Sequence, residues 1–330
     1  MSNAPTTLFP LIISNTDLSL LSQCELAWFR SRCQNFRKSG FNNDLAAGGA
    51  FAKGLETVRK LYYNDKLSST EAVEEGYITV VDTLHEEMAR FSADTDVLKS
   101  PERMGIALKE YFRRFPLDME EAIPAELTDG SFAIEHKMTA ELPILHPELG
   151  VPLIFKGKLD LLAKSMGRNY IVDEKTTKAI TANTAQLQQT AGQFIGYGWL
   201  ARQKGIVVSG TKIRKVAIQV RDIKVEEFEV AMTDFQIDLW YEATLKKLQA
   251  VADKYKQTME SPDKFKEYFL PDFQGGCTAY FRACQYQDGC MSKYGENFIQ
   301  SNFEQVCWDS EARKEIPLQD YKNLLLGAGQ

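Results

Sequence analysis

Between residues 17 and 115 apolar side chains recur every three or four positions, the spacing of one helical face. Residues 17–36 are expected as a helix capped by Asp17, with Leu18, Leu21, Leu26, Trp28 and Phe29 on its apolar side. A second helix is expected over 45–63, where Gly48 and Gly49 allow close backbone approach, and two or three more over 69–115 carry an acidic surface at Glu71, Glu74, Glu75, Asp82, Glu86 and Glu87. From about 131 the period shortens to two, which predicts strands over 131–140, 152–163 and 169–176. Met166-Gly167-Arg168-Asn169 suits the turn of a hairpin between the last two. A helix over 184–203, a strand over 212–221 and a long helix over 228–259 follow, and then an irregular aromatic-rich segment. This order predicts an α/β fold, a central mixed β-sheet flanked by helices. No linker interrupts it, so the expectation is a single unit over 1–330: a mainly helical layer at 17–130, an α/β core at 131–225, and at 226–330 a helix plus a cysteine-bearing end.

Composition narrows the function. Three hundred and thirty residues, 44% hydrophobic and 25% charged, are globular, and 39 basic against 45 acidic residues give a net charge of −6. Such a balance excludes capture of nucleic acid by bulk charge, so any such contact must be local. The opening MSNAPTTLFPLIIS lacks a basic region, and no apolar run reaches the ~18 residues of a membrane span. A cytoplasmic protein without a membrane partner is the expectation, and its six cysteines are expected to be reduced.

The chemistry gathers in residues 155–177, FKGKLDLLAKSMGRNYIVDEKTT. On the third strand Asp173 and Lys175 share a face, and the hairpin returns Asp160 to the side of Asp173. Two converging carboxylates suit a hard divalent cation such as Mg²⁺, and a lysine beside them can stabilise developing charge. An exposed ion pair on a strand would produce the same D-x-K spacing.

The motifs GKLD (157–160), IVDEK (171–175) and QFIGY (193–197) together resemble the RecB-like branch of the PD-(D/E)XK nucleases, which includes CRISPR-associated and phage recombination exonucleases. The resemblance implies a restriction-endonuclease-like core in which Asp160 and Asp173 bind Mg²⁺ or Mn²⁺, with the backbone carbonyl of Glu174 beside them. It implies Lys175 as the catalytic lysine and Gln193 and Tyr197 as the pair that positions DNA. It also exposes a departure. The branch usually carries a histidine in an early G-x-x-H helix, and GGAFAKGLE (48–56) has Ala52 there. Glu56, one turn further on, and Glu135, on the preceding strand, are the spare carboxylates that could substitute. His85, His136 and His146 match no ligand spacing.

Cys24 and Cys33 lie near the start and Cys277, Cys284, Cys290 and Cys307 near the end, with none between. Cysteines bind iron–sulfur clusters and zinc alike in fours; the absence of a C-x-x-C knuckle weighs against zinc, and buried reduced thiols are the third option. In iron–sulfur members of the branch one ligand precedes the core and three follow it. SLLSQC (19–24) is similar to the first segment, so the resemblance implies a 4Fe-4S cluster on Cys24, Cys277, Cys284 and Cys290, a C-terminal iron–sulfur segment that closes onto Cys24. Cys33 and Cys307 are expected as core thiols.

Basic residues cluster at 156–178, at 202–215 (Arg202, Lys204, Lys212, Arg214, Lys215) and at Arg30, Arg32, Arg37 and Lys38, a pattern that fits a groove along a phosphate backbone. Tyr280, Phe281 and Tyr286 are candidates for base stacking. The implied function is a metal-dependent exonuclease on single-stranded DNA or DNA ends in recombination, repair or CRISPR-linked processing, in a bacterial or phage-infected cell, with protein partners from those processes. A non-catalytic DNA-binding adaptor that keeps the fold and the cluster is the alternative.

Overall fold

Ser14 opens the first helix. Its hydroxyl accepts the Asp17 N–H at 3.4 Å while the Asp17 carboxylate accepts the Ser14 N–H at 2.7 Å, so Asp17 completes a capping box from inside the helix and is not the cap. A computed structural model of the protein describes residues 7–327 except 39, 95, 97, 182, 282 and 310–313. Strand β1 (Ile12–Ser14) leads into α1 (Asn15–Gln23). Cys24 then turns extended, at φ −164 and ψ 115, and caps α2 (Glu25–Trp28) with its sulfur; a π-helical turn over Phe29–Cys33 precedes β2 (Phe36–Arg37). The helix expected over 17–36 is thus three pieces.

Helices α3 (Asn43–Tyr63), α4 (Ser69–Arg90) and α5 (Pro101–Arg114) follow, with N-caps Asn42, Ser68 and Ser100. Strands β3 (Ile123–Pro124), β4 (Ile134–Leu145), β5 (Pro152–Ser165) and β6 (Arg168–Thr177) come next. The β5–β6 hairpin closes at Ser165 opposite Arg168 through Met166 (φ 49) and Gly167 (φ 75), the paired left-handed residues of a tight hairpin turn. Beyond it are α6 (Thr184–Gln188), α7 (Gly192–Gln203), β7 (Val208–Ile218), β8 (Ile223–Ala231) and α8 (Asp234–Glu260). Where the pattern predicted helix from 228, β8 instead pairs antiparallel with β7, Phe228 opposite Ile213. The chain continues through α9 (Phe265–Tyr268), α10 (Gln287–Met291), α11 (Gly295–Asn302), β9 (Glu304–Asp309), β10 (Lys314–Pro317) and α12 (Leu318–Gly327).

The described residues form two compact units, one from within 1–39, 139–156 and 241–330, the other from within 40–138 and 157–240. In the first, β1 lies parallel to the start of β5, with Ile13 opposite Phe155, and β2, β9 and β10 make a small sheet. Its interior is aromatic: Phe29 stacks on Phe269 at 4.4 Å and on Phe265 at 5.2 Å, and Phe9 meets Trp28 and Tyr255 edge-on.

In the second unit, β6 pairs antiparallel with the end of β5 and parallel with β7. A parallel pair needs a long connection, and α6 and α7 supply it. Val58, Leu84, Leu108 and Tyr111 of α3 to α5 close over Val216 and Ile218 of β7 in one buried core. Helices α3 and α4 cross where a Cβ on Gly54 would meet Val80 at 2.3 Å and one on Gly76 would meet Val58 at 2.2 Å, so glycine permits the contact. Among the described residues no helix is long and apolar enough to cross a membrane.

Candidate active site

Strand β6 is buried on both faces, which separates its consecutive side chains into two environments. Hairpin pairing places Leu161 opposite Val172, which sets Asp160 and Asp173 one step further along both strands. The expected convergence is present. Asp160 Oδ2 accepts the Glu174 N–H at 3.0 Å, and Lys175 Nζ donates to Asp173 Oδ1 at 2.8 Å. From α7, Gln193 Nε2 donates to Asp173 Oδ1 at 3.2 Å and to Tyr197 Oη at 3.1 Å, so the Gln193 and Tyr197 pair stands against the same carboxylate.

Asp173 is 1% exposed, and its Oδ2 is buried with no hydrogen-bond partner among the described residues. Burial, and then the charges of Asp160 and Glu174 against the pull of Lys175, push its carboxyl up to about 7. Asp160 is raised by burial and by Glu174. Burial opposes the Lys175 ammonium, yet the Asp173 and Asp160 charges outweigh it and keep the lysine protonated well beyond neutrality. An orphaned buried carboxylate oxygen beside a second carboxylate is a donor set that a hard divalent cation fits.

Glu174 faces the other way. Its carboxylate pairs with Arg59, whose Nη1 lies 3.4 Å from Oε2, and accepts Tyr111 Oη at 2.8 Å. Arg214 also donates to Tyr111 Oη, at 2.9 Å, and binds Glu120 at 2.7 Å and Glu227 at 2.8 Å. Arg59 and Arg214 pull the Glu174 carboxyl below its usual range despite full burial, so its side chain is committed to this network and the residue offers backbone to the site. Sequence reading missed the network; the one available signal was Arg59 within the apolar stripe of α3, next to Val58.

Asp160, Glu174, Lys175 and Thr176 line a cleft of about 270 Å³ with Asp44, Leu45, Gly48, Gly49 and Ala52 of α3 and with Glu135. Glu135 pairs with Lys158. Glu56 does not line the cleft: its oxygens are held by Lys53 at 3.0 Å and Lys60 at 2.7 Å. Asp44, at the cleft's edge, is anchored by the buried Lys99 at 2.8 Å, a contact that no motif signalled.

Part of the basic runs is paired with acid: Lys212 with Glu227, Arg214 with Glu120, Arg202 with Asp238 at 2.6 Å, Arg30 with Glu296 at 2.6 Å and Arg32 with Asp17. Tyr286 is 2% exposed, donates to Phe36 O at 2.6 Å and stacks on Phe303, which removes it from base stacking. The side chains of Tyr280 and Phe281 lie outside the described residues.

In the first unit Cys24 Sγ accepts the N–H of Ala27 and of Asp272, each at 3.4 Å. A Cβ on Gly276 would stand 2.5 Å from Gln23 O and 3.0 Å from Cys24 Cβ, so glycine is what lets the segment bearing Cys277 reach Cys24. The Cys284 N–H donates to Cys277 O at 2.8 Å, and the Cys290 N–H to Tyr286 O at 3.0 Å. Burial raises the thiols of Cys277, Cys284 and Cys290, and the charge of Cys24 raises each of them further. Four cysteine thiols are the donor type that a thiolate-bound cluster takes. Among the described residues no group of three or more His, Cys, Asp or Glu side chains is placed to hold a metal ion. Cys33 is fully buried, and Cys307 packs with Leu8 and Leu318.

The profile of the PD-(D/E)XK nuclease superfamily matches residues 12–291. None of the curated proteins matches the chain. Among solved structures, similarity extends to a provisionally assigned exonuclease from Eubacterium rectale (14% identity, 79% of this chain and 84% of that one, TM-score 0.40) and to the protein SSO0001 (15% identity, 70% and 85%, TM-score 0.25).

Proposed function

The chain belongs to the PD-(D/E)XK nuclease superfamily, and from that premise we propose a Mg²⁺- or Mn²⁺-dependent deoxyribonuclease that works from DNA ends or on single strands. The observation that carries this reading is the union of Asp160, Asp173 and Lys175 at one end of the hairpin, with one Asp173 oxygen left unpaired.

When bound, the divalent cation supplies Lewis-acid charge and makes water a stronger nucleophile. Asp160 and Asp173 hold it, with the Glu174 carbonyl available beside them. Lys175 stays protonated because both aspartates favour its charge, so it opposes the negative charge that gathers on the phosphate as the bond to the leaving oxygen lengthens. Gln193 fixes the Asp173 carboxylate and bonds Tyr197, and in this reading the two position the DNA. In the same reading Cys24, Cys277, Cys284 and Cys290 hold a 4Fe-4S cluster, and metal-binding free energy becomes folding free energy for the first unit. The setting is a cytoplasmic one of recombination, repair or CRISPR-linked processing, alongside protein partners of those processes.

Ala52 favours a second reading, a DNA-binding adaptor without catalysis, because its methyl group lines the cleft where the resembling branch carries a histidine. End-labelled single- and double-stranded DNA incubated with Mg²⁺, Mn²⁺ or EDTA separates the two. Short labelled products that require metal and vanish in Lys175→Ala and Asp160→Asn support the nuclease. Cleavage unchanged in both variants overturns the site, and binding without cleavage supports the adaptor.

A further inference from the structure

Glu135 holds a backbone conformation that its residue type resists. Its φ is +53, in the left-handed region that costs a side chain other than Asn, Asp or Gly conformational energy, and such strain persists where the surroundings demand it. The strained backbone places the Glu135 carboxylate, 13% exposed, on the wall of the cleft that also holds Asp160 and Lys175. On the α3 side Ala52 lines the same cleft beside Leu45, Phe51 and Leu55, and a Cβ on Gly49 would meet nothing within 4 Å, so there is open space next to that wall.

A lysine neutralises each acidic arm of the site, Lys175 at Asp173 and Lys158 at Glu135. Both lysines reach solvent, with side chains 51% exposed at Lys158 and 45% at Lys175. Asp173 adds an independent sign of a ligand, because it is 1% exposed and its Oδ2 has no partner among the described residues.

We propose that Glu135 is a third carboxylate ligand of the divalent cation held by Asp160 and Asp173, and that the cation enters by displacing Lys158 from Glu135. The inference rests on the nuclease reading of the site. No imidazole lines the cleft, so the completed set is all oxygen and suits Mg²⁺ and Mn²⁺ over softer ions.

Calorimetric titration of Mn²⁺ into the full-length protein, without DNA, tests this. Glu135→Gln and Glu135→Asn should each weaken Mn²⁺ binding roughly tenfold or more. Glu56→Gln should bind like the unaltered protein, and Lys158→Ala should bind several-fold more tightly because the displaced cation is gone. Asn tolerates the left-handed backbone, so Glu135→Asn should also raise the Tm in EDTA, which shows that its weak binding does not come from misfolding. Binding within twofold of the unaltered protein in both Glu135 variants, while Asp160→Asn has lost it, overturns this inference alone. Weaker binding in Lys158→Ala overturns the exchange. No measurable Mn²⁺ binding by the unaltered protein overturns the nuclease reading and the inference with it.

Discussion

Asp160 Oδ2 accepts the backbone N–H of Glu174 at 3.0 Å, and this bond joins β5 to the strand that carries Lys175. The same carboxylate is thus both a metal ligand in the proposed chemistry and the cap of a strand N–H. Asp160→Asn keeps an acceptor for that N–H and removes the charge; Asp160→Ala removes both. Both variants should lose cleavage, but Asp160→Ala should be less stable than Asp160→Asn by about 1 kcal/mol, the cost of a buried donor left unpaired. Urea denaturation in EDTA measures the difference, and equal midpoints would show that the bond carries no structural load.

Arg59 and Glu174 form an ion pair 115 residues apart in sequence, both side chains nearly inaccessible to solvent. Removing one member leaves a buried charge without compensation. Arg59→Met should therefore destabilise the protein by about 3 kcal/mol or more, while Arg59→Met combined with Glu174→Met should recover most of the loss, because replacing both partners with apolar groups is close to neutral. A double-mutant cycle by chemical denaturation gives the coupling; a double variant as unstable as the sum of the singles would refute it.

The hairpin was legible in the sequence because both of its strands alternate with period two and Gly167 marks the turn between them, although Met166, at φ 49, takes a left-handed backbone that its residue type resists. Asp160, Asp173 and Lys175 follow directly from its register. What escaped depends on partners distant in the chain. Strand β8 carries Lys224, Glu226, Glu227 and Glu229, charges that read as a helix surface, and Glu227 is there to meet Lys212 and Arg214 of β7. The ion pairs of Lys212 and Arg214 escaped for the same reason: a formal charge counted along the sequence says nothing of the acid folded against it. The break in the first helix was hidden because Cys24 acts as a cap through its sulfur, a role that its residue type does not advertise.

The cysteines differ in environment within one protein: Cys277, Cys284 and Cys290 are half-buried, whereas Cys33 is fully buried and its thiol is raised by burial, as an inert thiol is. If Cys24, Cys277, Cys284 and Cys290 hold a 4Fe-4S cluster, anaerobically purified protein is brown with about four iron atoms per chain. Cys24→Ala should lose the colour and most of the iron and lower the thermal stability, and Cys33→Ala should keep both colour and iron. Colourless protein with no iron would remove the cluster from the proposal and leave the nuclease site untouched.

His146 supplies a pH dependence distinct from catalysis. It is 1% exposed, and its Nδ1 accepts the N–H groups of Glu148 at 3.2 Å and Leu149 at 3.1 Å. Two donors at Nδ1 leave the ring proton on Nε2, which donates to Phe9 O at 2.8 Å and ties the loop after β4 to the residues before β1. Protonation would place a hydrogen between Nδ1 and two N–H groups already aimed at it. Burial accordingly lowers the pKa of His146, although the Phe9 carbonyl and the Glu148 charge pull the other way. A folded pKa below the unfolded value of about 6.5 means that the neutral ring's contribution is complete above that pH and is lost as the pH falls through the folded pKa. The stability advantage of the unaltered protein over His146→Gln should therefore shrink, by on the order of 1 kcal/mol, between pH 7.5 and pH 5. Urea midpoints at three pH values in that window measure it, and an advantage constant across the window would show that the ring does not titrate against the fold.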